Sequence, residues 1–106
     1  MAKERYKILF DVEIDQHLDA IELKYHSLIR SAIERQLRFE ASKETRNRKP
    51  LLRENELEAD WEIRFGPDNR FRVLYTVDEE HHEVVVLAIG VKQGNRLFVA
   101  GEELTI

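Results

Sequence analysis

From Trp61 to Phe98 the chain reads WEIRFGPDNRFRVLYTVDEEHHEVVVLAIGVKQGNRLF, and this segment carries the strongest structural signal of the sequence. Turn-forming residues at Gly66–Asn69 and Asp78–His82 divide it into three strand-like runs. Apolar and polar side chains alternate along the first two runs, as in strands that bury one face. The third run, Val84–Ile89, is apolar throughout, which is typical of an interior strand buried on both faces.

A symmetric first turn sets the register of the predicted hairpin. It pairs Phe65 with Phe71 and brings all the large apolar side chains onto one face. Arg64 then lies directly opposite Arg72 on the other face. Because like charges in this arrangement cost roughly 0.2–1 kcal/mol, two interpretations stay open. The pair holds an anion, or it consists of two solvated guanidiniums moderated by Glu62.

Other cations are expected at the same end of the sheet. If the second turn is also symmetric, Arg72 lies opposite Ile89 and Lys92 falls near the arginine pair. Arg70 and Arg96 are expected to join this rim. A sheet end that gathers cations in this way predicts an anion-binding site.

The cationic face also carries apolar side chains farther from the rim, at Leu74, Val85 and Leu87. Contiguous exposed apolar surface marks interaction sites. A cover is therefore expected, either from the C-terminal part of the chain or from another protein. The C-terminal candidates are Leu97, Val99 and Leu104.

The N-terminal part predicts one strand and two helices. Tyr6–Val12 alternates like a strand, and we expect it beside the interior strand Val84–Ile89, which needs two neighbours. Asp15–Glu40 has helical apolar spacing, with a break expected at Lys24–Ser27. The predicted fold is α+β: a small, mostly antiparallel four-stranded sheet packed against an N-terminal helical hairpin, in the order β-α-α-β-β-β.

Length and composition predict one globular domain spanning residues 1–106. The chain contains no cysteine, which suits a reducing compartment, and we expect a cytoplasmic protein. No stretch approaches the roughly 18 apolar residues of a membrane helix, so no membrane partner is expected. Adjacent His81 and His82 point to opposite sides of a strand and chelate poorly, so the sequence predicts no metal and no cofactor.

The formal net charge of -4 argues against bulk attraction to nucleic acid. The segment Lys43–Arg53 is nevertheless locally basic, through Arg46, Arg48 and Lys49 among others. Such a segment is usually a solvated loop. It can still hold phosphate on a mildly acidic protein, and it precedes a strand that carries Arg64.

The order of these elements resembles the RelE/ParE toxin superfamily. The segments that carry the resemblance are ETRNRKPL (Glu44–Leu51), WEIRFG (Trp61–Gly66), FRVLYTVD (Phe71–Asp78) and VVVLAIGVKQGNRL (Val84–Leu97). The resemblance covers nearly the whole chain. It implies a toxin of a type II toxin–antitoxin pair, held inactive by a cognate antitoxin that wraps around it.

Two activities occur within this superfamily. RelE-like members are metal-free endoribonucleases that cut mRNA in the ribosomal A site, so the resemblance implies the ribosome and mRNA as partners. The RNA 2′-hydroxyl attacks the adjacent phosphate and the 5′-oxygen leaves, a reaction that needs cations around the phosphate and groups that move protons. ParE-like members share the fold and poison DNA gyrase.

The resemblance also implies roles for individual residues. Arg64, Arg72 and Lys92 match basic positions of the RelE-like catalytic site. Glu62 stands where that pattern has a lysine, and it is a candidate catalytic base or an ion-pair partner of Arg64. Phe98 stands where the pattern has a catalytic tyrosine; a phenylalanine transfers no proton but can stack on a base. The residues expected to contact RNA are Arg46, Arg48, Lys49, Arg70, Arg96 and Phe98. The alternative is a non-catalytic relative, either a gyrase poison or an inactive protein that binds an antitoxin.

Overall fold

The computed structural model describes residues 4–105, in which seven strands form a single sheet. The strands are β1 (Lys7–Phe10), β2 (Arg48–Pro50), β3 (Trp61–Phe65), β4 (Phe71–Asp78), β5 (Glu83–Gln93), β6 (Arg96–Val99) and β7 (Glu102–Leu104). Strands β2 to β7 pair in sequence order and antiparallel, whereas β1 pairs in parallel with the first half of β5. The α+β class, the mostly antiparallel sheet and the position of β1 beside β5 are confirmed.

The predicted count of four strands was wrong. The expected strands form β1, β3, β4 and β5, and β2, β6 and β7 are additional. Strand β2 lies within the basic segment that was expected to be a loop. The additional strands have only three or four residues, which is too short for an alternating pattern to stand out from the surrounding sequence.

The helical region also differs from the predicted hairpin. Helix α1 (Ile14–Asp19) has only six residues, and α2 (His26–Leu37) has twelve. A 3-10 turn at Leu23–Tyr25 separates them, and a second one follows β3 at Pro67–Asn69. Within residues 4–105, no helix is long and apolar enough to cross a membrane.

The break between the helices begins earlier than predicted, since α1 ends at Asp19, and its last part is a 3-10 turn in which a side chain binds a backbone oxygen. In a continuous helix the amide of Tyr25 would bond to the carbonyl of Ile21. That carbonyl instead accepts a hydrogen bond from the His26 ring at 2.8 Å, and the Tyr25 amide bonds to the carbonyl of Glu22 at 3.0 Å. The local result is a 3-10 turn.

The predicted hairpin register is confirmed, with Phe65 opposite Phe71 and Arg64 opposite Arg72. The predicted register of the next pair was wrong by one residue, since Arg72 lies opposite Gly90 rather than Ile89. The cause is a β-bulge, in which Leu87 of β5 is an extra residue between two regular stretches of pairing.

The sheet buries apolar side chains on both faces. Helices α1 and α2 cover one face, where the main core contains Ile29, Leu37, Ile63 and Tyr75 among others. A smaller cluster on the opposite face contains Ala59, Leu74, Ala88 and Leu97, with Leu87, Val99 and Leu104 packed against it. The expectation that the C-terminal side chains cover this face is thus confirmed at Leu74 and Leu87.

Candidate functional site

A cavity of about 470 Å³ opens on the face of the sheet away from the helices. Its lining includes Glu62 and Arg64 on β3, Arg72 on β4, and Lys92 on β5. These residues, which the sequence analysis identified as candidate catalytic groups, therefore share one site. We call it the cationic cavity.

Glu62 joins the two arginines that face each other across β3 and β4. Its Oε1 atom accepts hydrogen bonds from Arg64 Nε at 2.6 Å and from Arg72 Nη1 at 3.0 Å. The Glu62 side chain is 3% exposed and that of Arg72 is 10% exposed, whereas that of Arg64 is 41% exposed. The carboxylate thus offsets the repulsion between the like charges, as foreseen for Glu62, but only Arg64 is solvated and Arg72 is buried.

Arg72 is the more fixed of the two arginines. Its Nε donates a second hydrogen bond to the carbonyl of Asn69 at 3.0 Å. Burial lowers the pKa of the Arg72 guanidinium, and the negative charge of Glu62 opposes this shift. Arginine remains charged in proteins despite such shifts, so Arg72 contributes a buried positive charge in a defined orientation.

The bulge at Leu87 brings Lys92 to this site. Side chains alternate between the two faces along a strand. One extra residue therefore moves the side chain of every later residue to the opposite face of the sheet. Beyond the bulge, Ala88, Gly90 and Lys92 therefore share the face of Arg72. Without the bulge, Lys92 would face the helices.

The cavity also contains residues that the sequence analysis did not propose for the site. The lining includes Arg53, Asn55, Asn95, Glu103 and Thr105. Arg53 is the last cation of the basic segment, so the composition of that segment could have indicated it as a site residue. The others come from loops and from β7, for which the sequence carried no clear pattern. With Arg53 included, four cationic side chains face two carboxylates in this lining, so the site favours an anion with several oxygen atoms.

The three candidates of the basic segment occupy different environments. Arg46 is exposed, and Lys49 forms an ion pair with Glu44 at 3.3 Å. Arg48 is buried on the helix-facing side, where it donates to the carbonyl of Glu40 and the side chain of Gln36. The expectation that Arg48 is available to RNA is therefore corrected: its position opposite Ile63 turns it into the interior.

Arg70, Phe98 and Arg96 do not join the cationic cavity. Arg70 and Phe98 line a separate cavity on the helix-facing side. Phe98 lies opposite Val91, which shares the face of Ile89, so its ring points away from Arg72. Arg96 is exposed, with Nε 3.6 Å from a carboxylate oxygen of Glu103. The predicted rim is thus divided between the two faces.

Among residues 4–105, no group of three or more His, Cys, Asp or Glu side chains is arranged to hold a metal.

The chain is a small α+β protein with a mostly antiparallel sheet, helices on one face and a cationic cavity on the other. The chain belongs to the family described as phage derived protein Gp49-like (DUF891), which matches residues 16–99.

One solved structure similar to this one is the RelBE2 toxin–antitoxin complex of Mycobacterium tuberculosis. The match has 24% sequence identity and a TM-score of 0.60, and it covers 83% of this chain and 99% of that chain. At this identity the similarity concerns the fold. A search of curated proteins found no significant match.

Proposed function

We propose that this chain is the toxin of a type II toxin–antitoxin pair and that it acts in the cytoplasm as a RelE-like endoribonuclease on ribosome-bound mRNA. The observation that carries the proposal is the shared cavity of Arg64, Arg72 and Lys92, in which Glu62 orients the two arginines. The family and the fold support the toxin class.

In this proposal the cationic cavity holds the scissile phosphate. The 2′-oxygen of the RNA forms a bond to phosphorus and loses its proton, while the bond to the 5′-oxygen breaks and that oxygen gains a proton. The products are a 2′,3′-cyclic phosphate and a 5′-hydroxyl. Arg64, Arg72 and Lys92 stabilise the additional negative charge on the phosphate oxygens in the transition state, and such fixed charges supply much of the rate of similar reactions.

Glu62 fits a positioning role better than that of a base. Its Oε1 atom is engaged by both guanidiniums and its side chain is only 3% exposed, so the carboxylate is directed at the two arginines. The second carboxylate of the cavity, Glu103, is 48% exposed and has a weaker ionic contact. Arg46 and Lys49 are proposed to hold the RNA backbone outside the cavity.

The test is cleavage of a defined mRNA on purified ribosomes. Lys92→Gln removes one charge at a half-buried position, and Arg72→Lys keeps the charge of Arg72 but removes its planar donors. We expect both to lower kcat by about 10²–10³, whereas Arg35→Gln, an equal charge change at an exposed position on α2, leaves kcat unchanged. Unchanged cutting by both cavity variants would refute the site.

A second candidate function is non-catalytic binding, either to gyrase or to an antitoxin alone. It is favoured by the engagement of Arg64 and Arg72 with Glu62 and by the location of Phe98 on the other face. In a supercoiling assay, inhibition of gyrase while ribosome-bound mRNA remains intact would select the gyrase poison. Expression without any growth defect would select the inactive antitoxin-binding protein.

The proposed antitoxin has a suitable surface on the helical side. An apolar groove runs between the end of β1 and α2, lined by Ile14, Leu18, Ile29 and Ile33 among others. Phe10 beside it is 54% exposed and Val12 is 92% exposed, and such patches mark protein interfaces.

Hydrogen exchange of the chain with the protein encoded in the adjacent reading frame tests this location. Protection of β1 and α2 is expected. Unchanged exchange of both elements would exclude this location for the antitoxin.

A further inference from the structure

A second cavity, of about 360 Å³, lies on the helix-facing side at the same end of the sheet as the cationic cavity. Its floor is a row of side chains from three adjacent strands, in which Phe71 lies opposite Val91 and Val91 opposite Phe98. Tyr25 of the 3-10 turn and His17 of α1 complete its walls. We call it the Arg70 cavity after the cation that it contains.

The guanidinium of Arg70 is held by aromatic rings. Its central carbon lies 4.7 Å from the ring centroid of Tyr25 and 5.1 Å from that of Phe71. The two rings pack against each other with their centroids 5.1 Å apart and their planes tilted by 56°, and the guanidinium lies close to both. Arg70 Nε is buried and has no hydrogen-bond partner among residues 4–105. The side chain as a whole is half-buried and lines the cavity.

His17 supplies a second polar group to this cavity. Its Nδ1 accepts a hydrogen bond from the backbone amide of Ile89 at 3.2 Å, so a neutral ring carries its proton on Nε2. Burial lowers the pKa of His17, which favours the neutral ring. The Arg70 cavity thus combines a cation, a neutral N–H donor and the half-buried ring of Phe98, and the exposed carboxylate of Glu22 also belongs to its lining.

We propose that the Arg70 cavity is a subsite for one unpaired nucleotide of the RNA, with its phosphate on the Arg70 guanidinium and its base against Phe98. This inference rests on the proposed action on RNA. Arginine matches the oxygen geometry of phosphate, and aromatic rings accept any base by stacking. The volume lies at the lower end of small-molecule sites and suits one nucleotide rather than a folded segment.

The backbone connects this subsite to the cationic cavity. Arg70 and Arg72 are two residues apart, and the carbonyl of Arg70 accepts a hydrogen bond from the amide of Lys92 at 2.7 Å. A single strand that crosses this end of the sheet therefore reaches both cavities with nearby nucleotides. The subsite holds RNA beside the reacting phosphate and takes no part in the bond changes.

The test is a titration of the whole chain with adenosine 5′-monophosphate, followed by amide NMR. We expect shifts at Phe98, Ala100 and Gly101, separate from those around Lys92. Inorganic phosphate and adenosine are the comparison ligands, and each is expected to bind more weakly than the nucleotide because it offers only one of the two contacts. N-acetylglutamate tests whether the cavity instead selects the carboxylate of an acidic protein segment.

Two variants separate the contributions. Arg70→Gln is expected to weaken nucleotide binding by about tenfold or more and to raise KM for ribosome-bound mRNA while kcat stays the same. Phe98→Leu keeps an apolar side chain and is expected to weaken the nucleotide but not inorganic phosphate. Arg35→Gln is the matched control, and amide dispersion reports whether each variant is folded.

Several results would overturn the subsite: nucleotide shifts confined to the cationic cavity, unchanged affinity in Arg70→Gln, or binding of N-acetylglutamate as tight as that of the nucleotide. The titration requires no ribosome. Nucleotide binding at the Arg70 cavity without any mRNA cleavage would therefore refute the proposed activity and leave the subsite supported. Cleavage of mRNA without nucleotide binding at this cavity would refute the subsite and leave the proposed activity supported.

Discussion

The two faces of the sheet hold arginine in different ways. On the face away from the helices, Arg64 and Arg72 share the buried carboxylate of Glu62. On the helix-facing side, Arg70 lies against the rings of Tyr25 and Phe71. A carboxylate fixes a guanidinium but neutralises part of its charge, whereas aromatic rings fix it and leave its in-plane donors for a ligand. The carboxylate-bound arginines are suited to a fixed orientation beside a reacting phosphate, and the ring-bound arginine is suited to binding a ligand.

The largest expected effect tests the carboxylate. Glu62→Gln leaves the buried Arg72 guanidinium without a counter-charge, and breaking a buried ion pair costs roughly 3–5 kcal/mol. Because Arg64 is partly exposed, we expect a loss of about 3 kcal/mol in the free energy of unfolding, measured with urea. Glu103→Gln is the control, because its exposed pair is worth about 1 kcal/mol or less.

The Glu62 variant also distinguishes positioning from proton transfer. If Glu62 only orients the arginines, Glu62→Gln retains a slow reaction whose dependence on pH matches that of the wild type. A stability loss below about 1 kcal/mol would mean that the pair contributes little. The two faces would then differ less than their geometry indicates.

The next effect concerns the basic segment, which the sheet divides between interior and surface. Arg48→Met removes hydrogen bonds of a buried charged group to Glu40 and Gln36, so we expect a loss of about 2 kcal/mol in unfolding free energy. Arg46→Met at the exposed position is expected to change stability by less than about 0.5 kcal/mol. Thermal and urea unfolding measure both, and equal losses would contradict the assignment of Arg48 to the interior.

A third prediction tests the strand that carries Phe98. A Cβ atom at Gly90 would lie 2.8 Å from the carbonyl oxygen of Phe98 and 3.0 Å from a methyl group of Val99. Gly90→Ala therefore forces β5 and β6 apart, at a cost of roughly 1–3 kcal/mol, and we expect it to weaken nucleotide binding at the Arg70 cavity. Gly94→Ala is the control, since it has open space and only the strain of φ +61°. Normal nucleotide binding in Gly90→Ala would show that the subsite does not depend on the pairing of β5 with β6.

Sequence patterns were sufficient for the hairpin of the cationic cavity. The alternation around the first turn fixes which side chains share a face, and the pairing of Arg64 with Arg72 follows from it. The burial of Arg48 was not accessible in this way, because it depends on β2, a strand of three residues. Short strands owe their existence to the neighbour with which they pair, and their own sequence carries little signal.

The position of Lys92 on the same face as Arg72 depends on one residue. Had β5 been regular, Lys92 would face the helices, and the bulge at Leu87 turns it towards Arg72 instead. In a continuously apolar run such as Val84–Ile89, no alternation marks where an extra residue lies. The face of Phe98 could not be predicted for the same reason, because Phe98 pairs with Val91, which follows the bulge.

The smallest expected effect is a pH dependence that only the helix-facing side should have. Burial lowers the pKa of His17, whereas the hydrogen bond that the His81 ring donates to the Asp78 carboxylate raises the pKa of the exposed His81. A histidine whose folded pKa is depressed contributes stability above the unfolded pKa of about 6.5, and this is lost as the pH falls from 6.5 towards the folded pKa. The loss is at most about 1.4 kcal/mol per pH unit, since one proton is involved.

His17→Gln should remove this slope while its amide can still bond to the backbone of Ile89. Urea unfolding between pH 7 and pH 5 measures the difference, and NMR titration of the ring gives the pKa directly. His81→Gln is the control with the opposite sign, because the stability that His81 contributes is present below 6.5 and lost as the pH rises through its raised pKa. A His17 ring that titrates above 6.5 would show that the wall of the Arg70 cavity is solvated, and the contrast between the two faces would then rest on the arginines alone.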